Sequence, residues 1–262
     1  MSTVPELIVL PWGVYPRRVL IYLAEKGILS SPFIKVTPVH ASPTGALVFA
    51  DGKPVGSSVP ILRIPSKANT TNTTTIKQSI AILDYFEDVC DSPDPNQPWQ
   101  IGLAKSARGT MRGTSPEERA RTRDILCLAD EVTSHLAFAC HKGSKLFSTM
   151  ETQQPLGAQL ALESCRRNLK QLDRYYKDDT RFEEDSNVGS QIHIADCVLY
   201  STLHFAKDLY GVDLTTGPDV ANIGRFYEGF GKRESVQVSS DHFPEMIKNL
   251  ACQWLPLDES GG

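Results

Sequence analysis

Two short stretches decide the fold: "VPILRI", residues 59–64, and "QSIAILDYFEDV", residues 78–89. The first is an apolar, β-branched run opened by Pro60. Proline cannot donate to a ladder, so the Val59–Pro60 step is either a plain strand edge or a special turn, with a cis bond among the options. The second begins an amphipathic helix at Gln78 and Ser79, with apolar residues at helical spacing behind them. Such a start is either an ordinary N-cap or an anion site, where a hydroxyl and free backbone N–H groups hold a carboxylate.

Upstream, "LIVL" (residues 7–10) reads as a buried strand. A helix from Arg17 to Lys26 comes next, with Pro16 at its first position, Tyr15 at the N-cap and Gly27 as the C-terminal cap. "FIKVT" (residues 33–37) is a second strand, and residues 73–76 are the weakest strand signal. The first hundred residues therefore read β-α-β-(short α)-β-β-α. The Pro- and Asp-rich "CDSPDPNQPWQ" (residues 90–100) suits an interdomain linker. Beyond it everything is helical: Ser115, Pro116 and Glu118 start a long helix with Ile125, Leu128, Ala129, Val132 and Leu136 on one face. Leu162, Cys165, Leu169, Leu172 and Tyr176 mark a second, and "IHIADCVLYSTLHFAKDLYG" (residues 192–211) a helix apolar all round. The expected division is residues 1–92, a linker over 93–107, and an all-helical domain over 108–262.

The 262 residues can bury a sizeable core, and a net charge of −4 argues against a nucleic-acid binder. Arg108, Arg112, Arg119, Arg121 and Arg123 are diluted by Glu117, Glu118 and Asp124, as on a solvated helix face. The first thirteen residues lack the basic and long apolar regions of a signal peptide or membrane span, so a cytoplasmic protein is expected. Six scattered cysteines without a C-x-x-C suit buried free thiols. Asn69 and Asn72 match the glycosylation pattern but sit in an Asn/Thr-rich stretch that reads as a polar loop. No zinc, Walker or G-x-S-x-G spacing is present, and no metal is expected.

The Val59–Pro60 strand, the Gln78-Ser79-Ile80-Ala81-Ile82 helix start and the Ala195–Asp196 capping motif together resemble the cytosolic glutathione transferases, over nearly the whole chain. "PWGVYPRRVLIYLAEKGI" (residues 11–28) looks most like fungal members, and suggests an enzyme of fungal secondary metabolism. The resemblance implies a thioredoxin-like βαβαββα domain followed by a helical bundle, glutathione as co-substrate, a small electrophile as second substrate, and a homodimer. It implies a cis bond at Pro60, with the Val59 backbone pairing strand-fashion with the cysteinyl part of glutathione. Gln78 and Ser79 would hold the γ-glutamyl end, and Lys53 or His40 the glycyl carboxylate. The second substrate would lie between the two domains, lined by Trp12, Gly13, His135 and Phe138, with His141 nearby; core packing accounts for each of these aromatic and histidine side chains equally well. The family's Ser or Thr cap is His193 here, a poorer cap, so the helix start is expected to be held differently.

Lowering a thiol pKa by about two units takes about 2.7 kcal/mol of thiolate stabilisation. Serine- and cysteine-type members place a donor just after the first strand, where this chain has neither residue. Two readings stand: the Tyr15 phenol donates to the thiolate, or the N–H groups of the turn suffice, with Gly13 letting the backbone come close. Arg17 and Arg18 read as a pair with buried stems and solvated heads, one of them steering an anionic peptide. The chemistry is conjugation or glutathione-assisted cis/trans isomerisation. The rival is a non-enzymatic regulatory or scaffold protein of the same fold.

Overall fold

The computed structural model describes residues 4–42, 45–65, 73–182 and 191–256; Asn69 and Asn72 lie outside them. The chain divides into two compact units, Met1–Pro116 and Glu117–Gly262.

In the first unit, β1 (Glu6–Val9), β2 (Lys35–Pro38), β5 (Ile61–Ile64) and β6 (Thr74–Ile76) form a mixed sheet in the order β2-β1-β5-β6. β1 pairs in parallel with β2 and antiparallel with β5, with Leu7 opposite Leu62; β6 continues antiparallel, with Ile76 opposite Leu62. A parallel pair needs a crossover, and α1 (Val14–Glu25) supplies it. Leu7, Ile8 and Leu62 are fully buried. The helix ends where Gly27, at φ 77°, donates its N–H to Ala24 O (3.0 Å) while the Ile28 N–H reaches Leu23 O (2.9 Å). That pair is a Schellman closure, which the positive φ of glycine permits. α1 starts three residues earlier than its sequence suggests, because extended Gly13 is the N-cap and its carbonyl accepts from Arg17 N–H at 2.8 Å. Tyr15 is thus the second helical residue and Pro16 the third, not the cap and first position.

The short helix expected between β2 and β5 is absent among the described residues. In its place β3 (His40–Ala41) and β4 (Leu47–Val48) form an antiparallel hairpin. Leu47 and Phe49 alternate along the chain as strand residues do, and Gly45, Gly52 and Gly56 all take positive φ, which breaks any helix there. Leu47, Phe49, Val55, Val59 and Trp12 pack on a core of Ile8, Leu10, Val39 and Ile61.

The segment expected as a linker carries a helix. α2 (Ser79–Asp91) is followed by α3 (Pro98–Ser106), which buries Trp99 and Leu103. At Gly102 an added Cβ would lie 2.3 Å from the Phe33 ring, so only glycine lets this helix approach so closely. The chain after α3 is then fastened to the first unit. Arg108 N–H donates to Lys26 O (2.8 Å), and a fully buried Glu87 accepts from Lys26 Nζ (2.7 Å), Tyr22 OH (2.7 Å), Thr110 Oγ1 (2.9 Å) and Met111 N–H (2.9 Å). Burial alone would raise the Glu87 carboxyl; the Lys26 ammonium and these hydrogen bonds outweigh it and hold it below the ordinary range. A proline-rich composition therefore marks a turn into α3 here, and the unit runs on to residue 116.

The second unit is helical: α4 (Pro116–Gly143), α5 (Pro155–Tyr175), α6 (Ile194–His204), α7 (Ala221–Phe230) and α8 (Glu245–Ala251). Every residue of α6 is buried, as its all-round apolar pattern requires. Its start is closed by its own carboxylate: Asp196 Oδ2 accepts from His193 N–H at 2.8 Å, while Asp196 also takes Tyr176 OH (2.8 Å) and Arg181 Nη1 (2.8 Å). Arg181 also reaches His193 Nδ1 at 3.4 Å. Among the described residues no helix is long and apolar enough to cross a membrane.

Candidate functional site

The site builds up where β5 and α2 begin. The Val59–Pro60 peptide is cis. Among the described residues the Val59 backbone has no hydrogen-bond partner, since β5 starts only at Ile61. Its side chain shares the apolar cluster with Trp12 and Ile61, so the strand-like edge is held in place while its polar groups stay open.

α2 starts without a side-chain cap and has no acidic residue in its first turn. Helix geometry leaves the first N–H groups without intrahelical acceptors, and their dipoles favour an anion. Gln78, the N-cap, is exposed, whereas Ser79, the first helical residue, is only 4% exposed. Arg18 Nη1 donates to Ser79 Oγ at 3.4 Å. The same guanidinium lies over the Tyr15 ring, 4.9 Å from its centroid. Arg18 is fully buried, which corrects the expectation of a solvated head. Its position explains this: Val14, Arg18, Ile21, Tyr22 and Glu25 form the buried stripe of α1 at helical spacing. That spacing was the available signal for Arg18, and reading the two arginines as a pair obscured it.

α1 also begins without a side-chain cap or a first-turn acid, so the Val14 and Tyr15 N–H groups sit at a positive helix end. Gly13 takes φ −69° and ψ 138°, a conformation open to any residue. An added Cβ there would meet Pro16 Cδ at 3.3 Å, a tight contact, so the glycine saves space rather than supplying a special backbone angle. Tyr15 is half-buried.

The structure thus joins Tyr15 to Ser79 through Arg18, and Trp12 to Val59 through the apolar cluster. His40 is on the β3–β4 hairpin and Lys53 in the turn beyond it. His40 is exposed opposite Val48, and Lys53 is paired with Asp51 at 2.7 Å and 79% exposed. His135 and Phe138 are on α4 in the second unit. His135 is half-buried; Phe138 is 50% exposed. His141 is engaged by its own unit, stacked on Phe147 at 3.8 Å with Nδ1 2.6 Å from Glu151 Oε1. None of the six cysteines is in a disulfide. Burial pushes the Cys90 thiol up to about 11 and Cys165 to about 12, and Cys140 rises for the same reason. Buried Cys140 and Cys165 and half-buried Cys90 are thereby held as neutral thiols. Among the described residues no group of three or more His, Cys, Asp or Glu could hold a metal ion.

The sequence matches no protein-family model and no curated protein. Solved structures do match. A glutathione transferase from Methylobacillus flagellatus with glutathione bound superposes with a TM-score of 0.59 at 19% identity, over 88% of this chain and 96% of that one. A maleylacetoacetate isomerase from Anaeromyxobacter dehalogenans, with glutathione in its active site, gives 0.55 at 21% identity over 92% and 97%. The Omega 3C glutathione transferase from Trametes versicolor gives 0.52 at 17% identity over 90% and 88%. With its small mixed sheet and its helical second unit, this chain has the glutathione transferase fold.

Proposed function

We propose that the protein binds glutathione in its first unit and activates the thiol for addition to a small electrophile. The observation that carries this reading is a pair of open polar edges: the unpaired Val59 backbone and the uncapped start of α2 at Ser79. Glutathione presents the complement of both, a peptide that can pair with Val59 and a γ-glutamyl carboxylate for the Gln78–Ser79 helix start. The thiol then lies at the start of α1, where the Val14 and Tyr15 N–H groups, the helix dipole and the Tyr15 phenol stabilise a thiolate. Lys53 and His40 are the residues the resemblance offers to the glycyl carboxylate, and Trp12 and Gly13 the surface for the electrophile.

The thiolate adds to an activated double bond, and protonation of the adduct gives a conjugate. When the adduct rotates about its new single bond and eliminates the thiolate, the other geometric isomer leaves and glutathione is regenerated. The likeness to an isomerase and to transferases supports both outcomes, and product analysis separates them because only conjugation consumes glutathione. The resemblance to fungal members of the family favours a substrate from secondary metabolism and a homodimeric enzyme.

The test is a pH titration of the ultraviolet thiolate absorbance of bound glutathione, in the wild type and in Tyr15→Phe. An ionisation about two units below the free thiol is expected. Loss of the shift in Tyr15→Phe assigns the donor to the phenol, and its retention assigns it to the backbone turn. Binding without ionisation, or no binding, rejects the enzyme and leaves a scaffold of the same fold.

A further inference from the structure

A fully buried arginine is costly unless its donors are used. Among its contacts, Arg18 donates to the hydroxyl that opens α2 and lies over the aromatic ring in the first turn of α1. Both contacts point at the edge assigned to the carboxylate and thiol of glutathione, so any role for Arg18 there rests on the glutathione reading.

We propose that Arg18 is a positioning residue for the anion site: it sets the polarity of the Ser79 hydroxyl and holds the first turn of α1 in register with the start of α2. A guanidinium donates and never accepts. Ser79 Oγ, 3.4 Å from Nη1, is therefore the acceptor on its inner side, and the contact is long and mainly electrostatic. The hydroxyl proton then points away from the cation and is left for an anion bound at the helix start. Ser79 is thereby fixed as a donor to a carboxylate, adding to the N–H groups of the first turn. The permanent positive charge behind the hydroxyl acts in the same sense as the helix dipole. On the other side, the cation lies over the face of Tyr15, 4.9 Å from its centroid, and draws on the ring's negative quadrupole. One charge thus couples Tyr15 of α1 to Ser79 of α2, which are 64 positions apart in the chain.

This assigns Arg18 no contact with substrate. Its effect must pass through Ser79, and that can be measured. Glutathione affinity is determined by calorimetry for the wild type, Arg18→Gln, Ser79→Ala and the double variant, with thermal unfolding of each. Arg18→Gln and Ser79→Ala are each expected to weaken binding about tenfold, the scale of one charge-assisted hydrogen bond. The double variant is expected to be no weaker than either single one. Arg18→Lys keeps a donor-only cation but loses the planar stack on Tyr15, and its affinity is expected to fall between those of the wild type and Arg18→Gln. A glutathione analogue lacking the γ-glutamyl α-carboxylate is expected to bind the wild type and Arg18→Gln alike. Independent losses that multiply in the double variant overturn the proposal, as does an Arg18→Gln chain that melts earlier but binds glutathione as well as the wild type. Should Arg18→Gln not fold, Arg18→Lys carries the same cycle, and any loss it shows must vanish in the Ser79→Ala background. Failure of the wild type to bind glutathione removes the functional reading itself, which these variants cannot mimic.

Discussion

Two helix starts in this molecule solve the same problem in opposite ways. At α6, Asp196 folds back onto the His193 N–H, and Arg181 and Tyr176 close around the carboxylate. At α2, the N-cap Gln78 contributes no capping bond, no acid stands in the first turn, and the nearby arginine meets a hydroxyl and an aromatic face. The first start brings its own anion and is complete. The second has the same positive end, but neither a side-chain cap nor an acid in its first turn. The difference teaches where to look for a ligand: the open end is the one whose missing component is negatively charged.

Supplying and removing carboxylates breaks or sharpens this contrast. The largest effect is expected at the closed end. Asp196→Asn leaves Arg181 and the helix start without their charge partner and should cost about 3–5 kcal/mol of stability, read by denaturant unfolding. The pH dependence comes from the same group. Burial would raise the Asp196 carboxyl, but Arg181 outweighs it and holds the carboxyl below its ordinary value of 3.8. A depressed folded pKa means its stabilisation is present above the unfolded value and lost as pH falls through the folded one. The wild type should therefore lose stability below about pH 4, and Asp196→Asn should show a shallower acid limb. An unchanged acid limb would assign it to other carboxylates, with Glu87 first, since its carboxyl is lowered in the same way.

At the open end the effects are smaller and fall on the ligand as well. Ser79→Ala takes an acceptor from buried Arg18 and should cost about 1–3 kcal/mol of stability, less than Asp196→Asn, while weakening glutathione binding about tenfold. Smaller still, Gln78→Asp gives α2 a carboxylate of its own. It should stabilise the chain by about 0.5–1 kcal/mol and weaken glutathione binding by competing for the same N–H groups. Tighter binding in that variant would show that the helix start does not hold an anion.

The local motifs were legible because each needs only a few adjacent residues. Val59–Pro60 just before a strand, Gln78–Ser79 opening a helix and Asp196 closing a helix start three residues after His193 are all present as local geometry. The all-round apolar α6 was equally plain. What escaped depends on partners distant in the chain. The β3–β4 hairpin replaces a helix because Leu47, Phe49 and Val55 seat on Ile8 and Ile61, a surface that no window around residue 50 contains. α3 hid inside a proline-rich segment because its support is Phe33 and the chain beyond α2. Arg18 was misplaced because an arginine on an apolar stripe makes sense only once Ser79 and Tyr15 are known to meet it.

The Glu87 cluster has a consequence for how this molecule can be recombined. Its ligands come from α1, from Thr110 and from the backbone at residue 111, so the carboxylate is satisfied only when the chain runs well past the proline-rich segment. A crossover between two relatives at residue 92 would pair one parent's buried glutamate with the other parent's latch. Homologous exchange of the sheet-bearing module is therefore penalised at the stretch that reads most like a seam.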